Sequence, residues 1–442
     1  MRVLLVQAFT AQDMELVYPL GLASLAAHLD GHEVRIFDLN LHPEGPLEAL
    51  DRALRGWRPE VVGVSLRNIK VARPGEHRDD FGPQREVVAR VRQAAPGAVL
   101  LAGGAAFSLY AEVFMRRLPE IDLGLWGEGE ERLPELLARL DRPWEVRGIY
   151  WRDGQQVRYS GDPAEVNFAA LRRPRRDLVP LAPYAAHALT SVGVQSKRGC
   201  ALHCIHCSDT FLLGTRVRQR APARVVDEIQ ELVEDYGVRR FFFADTIFNL
   251  PPRHALEIAR ELIDRRLDVE WAAWFNEHRQ TLPDELIAAV REAGCGLLSF
   301  SPDHVEDRML ARLDKNFRRA DLDYTTTLGR RHGIDVEYSF FLNSPGETPA
   351  TLLAILRFLA QAKRELGPHL RAFTLLMMQP IRLYPHTRIA ELAREEGLID
   401  RDDDLIEARF WNPGPLSLVV AGVQRGASLA WRVRQASRSA GR

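Results

Sequence analysis

The sequence predicts an α/β protein of two units: a doubly wound, Rossmann-like parallel sheet followed by an open, partial (β/α)6 barrel. Three observations carry this prediction. The first 145 residues alternate short β runs with amphipathic helices, the pattern of a parallel sheet covered on both faces. A second alternation begins at Thr190 and runs through six βα units, too few for the closed eight-stranded barrel. Directly after its first strand stands Cys200-x3-Cys204-x2-Cys207, with three of the chain's four cysteines.

In the first unit (1–145), strands are predicted at Val3 to Val6, Val34 to Asp38, Val61 to Ser65, Ala98 to Ala102 and Leu123 to Trp126. Helices fit between them at Leu20 to Leu29, Leu47 to Arg55, Gln84 to Ala94, Ser108 to Leu118 and Glu131 to Arg139. Ligands of such sheets lie beyond the carboxyl ends of the strands. The informative stretches are therefore Gln7 to Thr10, Asn40 to His42, Ser65-Leu66-Arg67-Asn68, Gly103-Gly104-Ala105-Ala106-Phe107-Ser108 and Gly127-Glu128-Gly129-Glu130. Small residues there let backbone approach a bulky ligand, and a plain turn accounts for each motif taken singly.

A connecting segment (146–183) contains a hairpin signal, with Ile149 to Trp151 and Gln156 to Tyr159 flanking Arg152-Asp153-Gly154-Gln155. The second unit (184–400) has predicted strands at Thr190 to Ser196, Arg240 to Ala244, Val269 to Trp274, Gly296 to Phe300, Val336 to Phe341 and Ala372 to Met377. Its helices are Arg224 to Tyr236, Arg253 to Arg265, Asp284 to Ala293, Ala320 to His332 and Pro349 to Leu366. In the tail (401–442), Phe410-Trp411-Asn412-Pro413 is expected to cap the barrel mouth, and the final Arg- and Ser-rich residues to be disordered.

Composition narrows the class. Apolar residues make up 46%, and 59 basic side chains balance 60 acidic ones, so neither nucleic acid nor a membrane surface is implied as a partner. No window reaches the ~18 apolar residues of a membrane span, and Met1 leads straight into a strand. The expected compartment is the cytoplasm. Four cysteines in 442 residues are too sparse for a disulfide framework.

Three thiolates on one short loop can hold three irons of a [4Fe-4S] cube and leave the fourth open to a small molecule. A closed Cys3His zinc site using His203 or His206 is the alternative. Cys295, far downstream, reads as a buried apolar residue.

The loop resembles that of the radical S-adenosylmethionine (SAM) superfamily, matching at Cys200, Cys204 and Cys207. Family-like stretches recur in order at Phe243-Ala244-Asp245-Thr246, Ala293-Gly294-Cys295, Ser344-Pro345-Gly346-Glu347-Thr348 and Leu383-Tyr384-Pro385-His386-Thr387. Upstream, Pro19-Leu20-Gly21-Leu22-Ala23-Ser24, Gly31-His32-Glu33-Val34 and the glycine-rich strand ends resemble the cobalamin-binding domain that precedes many radical SAM domains. The chain as a whole is similar to the cobalamin-dependent radical SAM family.

That resemblance implies three cofactors: a [4Fe-4S] cluster on Cys200, Cys204 and Cys207, SAM on the open iron, and cobalamin as methylcobalamin. It places His206, Asp245 and Asp303 toward SAM, with salt-bridge or capping roles as the alternative for the two aspartates. Toward cobalamin it places Ser65, Arg67, Asn68, Gly103, Gly104, Ser108, Gly127, Glu128 and Gly129. Arg67 would lie under the corrin, where a cation disfavours a lower cobalt ligand; a solvated surface arginine is the alternative. Asn40-Leu41-His42-Pro43-Glu44-Gly45 imitates a cobalt-ligand motif but follows the second strand instead of the first, so His42 reads as a loop residue.

Three departures stand out. His206 occupies a position where the family usually carries an aromatic ring against adenine, Ser301-Pro302-Asp303-His304 replaces Gly-x-Glu-Ser, and Pro385-His386-Thr387 replaces Pro-Gly-Thr.

The implied chemistry is reductive cleavage of SAM to a 5′-deoxyadenosyl radical, with electrons from a donor such as flavodoxin or ferredoxin. The leading expectation is methylation of an unactivated carbon in a small molecule or natural-product intermediate. A radical cyclisation, ring contraction or rearrangement without methyl transfer is the second, and a corrinoid or iron-sulfur carrier without SAM chemistry the third. Trp271, Trp274, Tyr338, Met377 and Gln379 are candidate cavity residues, equally consistent with barrel core.

Overall fold

Apolar runs at Val3 to Val6 and Val61 to Val64 are buried almost completely, as strands covered on both faces require. The computed structural model describes residues 1–8, 16–67, 81–371, 379–423 and 425–426. Phe9, Thr10, Asn68, the predicted sixth barrel strand, Met377 and the Arg- and Ser-rich end lie outside the described residues.

The first sheet contains β1 (Arg2–Gln7), β2 (Glu33–Asp38), β3 (Val61–Ser65), β4 (Val99–Gly103), β5 (Leu123–Leu125), β6 (Ile149–Asp153) and β7 (Gln156–Tyr159). Their order is β2-β1-β3-β4-β5-β6-β7. The first five are parallel, and the hairpin β6-β7 adds to the edge antiparallel. The predicted linker hairpin thus forms as expected and extends this sheet. Helices α1 (Leu20–Ala26), α2 (Pro46–Trp57), α3 (Phe81–Ala94), α4 (Ala105–Leu109), α5 (Ala111–Arg117) and α6 (Arg132–Leu137) accompany the strands. The single helix predicted over Ser108 to Leu118 is two, broken at Tyr110, whose φ of −131° leaves the helical region. The order reverses direction between β1 and β3, and such a switch point opens a crevice at the carboxyl ends.

After the short α7 (Ala182–Ala185), the second sheet is built from β8 (Gly193–Val194), with the small ribbon β9 (Lys197–Arg198) and β10 (Arg218–Gln219) beside it. It continues through β11 (Arg240–Phe243), β12 (Glu270–Phe275), β13 (Cys295–Asp303) and β14 (Asp335–Phe340). The order is β14-β13-β12-β11-β8, all parallel. The loop between β9 and β10 carries α8 (Asp209–Leu213). Connecting helices are α9 (Pro222–Glu234), α10 (Pro252–Asp264), α11 (Asp284–Glu292), α12 (Asp307–Arg312), α13 (Arg319–His332) and α14 (Pro349–Leu366). Prolines at the starts of α9, α10 and α14 use the position where no N–H is needed. Parallel bridges from Val336 of β14 to Leu370, and from Phe341 just past it to Gln379, stand on either side of the undescribed stretch.

The first predicted barrel strand, Thr190 to Ser196, is shorter than expected: Leu189–Ser191 is a 3-10 turn and only Gly193–Val194 joins the sheet. A final ribbon pairs β15 (Ile381–Arg382) with β16 (Phe410–Trp411) on either side of α15 (Arg388–Glu395). Asn343, just past β14, donates to Asn412 Oδ1 at 2.7 Å and Pro413 O at 2.8 Å, which ties the residues after β16 to the end of that strand. Among the described residues, no helix is long and apolar enough to cross a membrane.

Candidate active site

The carboxyl ends of both sheets open into one cavity of about 1220 Å3. Its first-unit wall includes Gln7, Ser65, Arg67, Gly103, Gly104, Ser108 and Gly127 to Glu130; the barrel wall brings Cys200, Cys204, His206, Cys207, Asp303 and Lys315. Period-two alternation selects the lining: Ala272 and Trp274 of β12, and Leu297, Ser299 and Ser301 of β13, face the cavity. Trp271 points the other way into the core, its Nε1 donating to Ala293 O at 2.8 Å. Tyr338 is likewise core, bonded to Thr325 at 2.7 Å. Of the candidate lining residues that are described, Trp274 alone reaches the cavity, and neither Trp271, Tyr338 nor Gln379 does.

The cysteine loop is closed at its base by β9 and β10, where Arg218 pairs with Arg198 and Gln219 with Lys197. Gly199 turns the chain into the loop with φ +90°, and a Cβ there would lie 2.1 Å from Arg216 O. The three thiols are free. Burial raises the pKa of each, that of Cys204 to about 11, so a bound cation is needed to hold them as thiolates at neutral pH. Among the described residues, no three His, Cys, Asp or Glu side chains are drawn together as a set around one metal ion. Three soft donors without a fourth fit a cluster with one open iron.

Beside the thiols lies a polar knot. A register shift between Phe300 and Asp303 turns Asp303 into the left-handed region, φ +64°, and its carboxylate pairs with Lys315. Lys315 Nζ also donates to Ser301 O at 2.9 Å. His206 Nε2 stands 3.5 Å from Asp303, while the ring meets Phe341 edge-on at 4.8 Å. Burial lowers the His206 pKa to about 4, so the imidazole is a neutral ring. Glu277, just past β12, is 3% exposed, its Oε1 has no hydrogen-bond partner, and burial lifts its pKa to about 8.

Asp245 also lines the cavity, but both carboxylate oxygens are engaged. Oδ1 accepts from the N–H groups of Ser196 at 2.7 Å and Lys197 at 3.1 Å, and Oδ2 accepts from the Ser196 hydroxyl. The capping alternative describes its present contacts. Glu128 is similarly occupied: Arg198 donates to Oε1 at 3.0 Å and Arg218 to Oε2 at 2.7 Å.

On the first-unit wall, Gly104 has φ +95°, and a Cβ would come within 2.8 Å of Leu66 O. Ser108 Oγ accepts from Gly127 N at 2.8 Å, tying α4 to the loop after β5. Arg67 reaches the cavity from the end of β3, and burial lowers its pKa against the pull of Asp38. His42 stacks on Phe37 at 4.8 Å and is absent from the lining; His386 stacks on Phe211 at 3.9 Å. Sequence reasoning missed Lys315, Glu277 and Arg198. Only Arg198, two residues before Cys200, had a local signal.

Comparison with known proteins defines the class: residues 9–137 match the B12 binding domain and residues 194–359 match the radical SAM superfamily. The chain thus joins a cobalamin-binding domain to a radical SAM domain, the pairing of cobalamin-dependent radical SAM enzymes.

Among particular relatives, an uncharacterized methyltransferase of Pyrococcus horikoshii is 26% identical, with 86% of this chain and 79% of that protein covered. Tryptophan 2-C-methyltransferase of Streptomyces laurentii is 24% identical over 86% of this chain and 72% of its own. In structure the chain is similar to the radical SAM methyltransferase TsrM from Kitasatospora setae, with TM-score 0.77, 24% identity, and 89% of this chain and 76% of that one covered. TsrM has been solved with tryptophan and a SAM analogue, and with cobalamin and a [4Fe-4S] cluster.

Proposed function

We propose that this chain is a cobalamin-dependent radical SAM methyltransferase acting on an unactivated carbon of a small molecule or natural-product intermediate. The observation that carries it is the single cavity shared by the cysteine triplet and the glycine-lined strand ends of the B12-binding domain. Cys200, Cys204 and Cys207 would hold the cluster. Ser65, Gly103, Gly104, Ser108, Gly127 and Gly129 form a wall of small residues that suits a corrin, with Arg67 at its edge. When bound, cluster and SAM supply one-electron hydrogen abstraction and the corrin supplies a transferable methyl group.

The remaining residues position and shield. Lys315, held by Asp303 and Ser301 O, presents a fixed cation beside Cys204, suited to a carboxylate such as that of SAM. Neutral His206 offers a flat face without charge. Leu5, Leu101, Leu125, Leu202 and Leu297 make much of the lining apolar, which excludes water from a reactive carbon centre. A flavodoxin or ferredoxin serves as the one-electron donor.

The test is anaerobic reconstitution with iron, sulfide and cobalamin, then turnover with candidate methyl acceptors, SAM and dithionite. Methyl transfer yields both 5′-deoxyadenosine and S-adenosylhomocysteine. 5′-Deoxyadenosine alone with an altered substrate would replace this reading with a rearrangement, and failure to take up cobalamin would end it.

A further inference from the structure

The hairpin at the base of the cysteine loop and the loop after β5 are joined by a buried quartet of charges. Arg198 donates from Nη1 to Glu128 at 3.0 Å and from Nη2 to Glu130 at 2.6 Å. Its Nε donates to Gln195 at 2.9 Å, and its guanidinium lies 4.7 Å over the Phe168 ring. Arg218, in register with Arg198 across the β9-β10 ribbon, donates to Glu128 at 2.7 Å, to Val166 O at 3.2 Å and to Leu213 O at 2.8 Å. All four side chains are at most 10% exposed.

Two cations and two anions withdrawn from water contribute little net stability, because desolvation offsets most of their attraction. What such a set does well is fix geometry: a guanidinium fork donates to its carboxylates in one orientation, and a slipped register leaves a buried charge unpaired. The quartet spans the two halves of the site. Glu128 and Glu130 alternate with Gly127 and Gly129 on the B12-binding wall, while Arg198 is two residues from Cys200, with only Gly199 between.

On the reading proposed above, we infer that Arg198, Arg218, Glu128 and Glu130 are positioning residues that set the distance and orientation of the corrin relative to the cluster. Any displacement of one loop is thereby transmitted to the other, so the two occupied sites are coupled. A misplacement of about 1 Å between reacting groups costs on the order of 100-fold in rate, which gives such a strut its purpose.

The test is the magnetic interaction between cob(II)alamin and the reduced cluster, each with one unpaired electron, measured by paramagnetic resonance on the full-length protein without substrate. The wild type should show one well-defined splitting. Glu130→Gln should retain iron and cobalamin in wild-type amounts yet show a broadened or shifted splitting. An unchanged splitting in a variant that holds both cofactors, even with a lower melting temperature, reduces the quartet to a stabilising contact and overturns the inference. Should Glu130→Gln lose a cofactor, Arg198→Lys, which keeps the cation but not the fork, is measured instead: a changed splitting supports the inference and an unchanged one overturns it. Wild-type protein that takes up no cobalamin or no iron would instead overturn the functional reading.

Discussion

Burial keeps the Glu277 carboxyl protonated up to about pH 8, whereas in the unfolded chain it ionises near its ordinary value of 4.5. Below 4.5 both states carry the proton and nothing is lost. As pH rises from there toward 8, the unfolded chain releases a proton that the folded chain retains, so stability falls across that window. At ~1.4 kcal/mol per unit the loss is on the order of 4 to 5 kcal/mol, a few degrees of melting temperature for a chain this long. Glu277→Gln should therefore melt progressively higher than wild type between pH 5 and pH 8.5; a difference that stays constant across that range would mean the carboxyl is already ionised in the fold. Cys204→Ala has a simpler outcome: iron retention after reconstitution should collapse while cobalamin uptake stays within about twofold, since the B12-binding wall uses no cysteine. The two residues mark what sequence could reveal. The thiols share one loop and Asp303 follows a predicted strand, so both are legible in sequence, whereas Glu277 follows β12 and Lys315 follows α12 beyond β13, and they meet only because the sheet brings the carboxyl ends of neighbouring strands together.

Elements were legible where periodicity was strong. Val61–Ser65 and Pro349–Leu366 match their predicted bounds, because a continuous apolar run and an amphipathic stripe closed by a glycine leave little choice. The break at Tyr110 was not legible, since neither glycine nor proline marks it; Tyr110 is buried in the core and packing overrides local propensity. The loop entering α4 depends on Gly104 in a more direct way. A side chain there would carry the cost of a positive-φ, extended backbone that only glycine readily adopts, about 1 to 3 kcal/mol, and collide with Leu66 O, on the rim where Ser65, Gly103 and Ser108 converge. Gly104→Val should weaken cobalamin binding by at least about tenfold, the equivalent of 1.4 kcal/mol, with iron content unaltered. Absorbance titration of the reconstituted variant reads both, and full cobalamin affinity would show that the corrin does not approach this turn.

At the scale of the whole molecule the two units share much of their core, although one cluster, with Val3, Leu22, Leu101 and Leu136, belongs to the first sheet alone. Tyr18 and Ala23, near the start of the chain, pack in the cluster that fills the barrel, while Leu313, Ile381 and Trp411 pack with β1, β3 and β4. Sequence patterning suggested a boundary near Tyr184 because linkers are recognised by composition, and composition is silent on which apolar faces meet. The polar counterpart of this shared core is centred on Asp38. It accepts from the Tyr184 hydroxyl at 2.5 Å, from Gln7 at 3.1 Å and from Asn40 N at 2.9 Å, so a residue at the end of β2 is held by one from α7. Removing a donor from a buried carboxylate costs about 1.5 to 3 kcal/mol. A junction shared in this way should unfold with both units at once. The wild type is thus expected to show one calorimetric transition, and Tyr184→Phe should lower that transition without splitting it. Two resolved transitions in the wild type, or a Tyr184→Phe protein in which only one unit melts earlier, would mean that the units fold independently and that the cavity between them is held by local contacts alone.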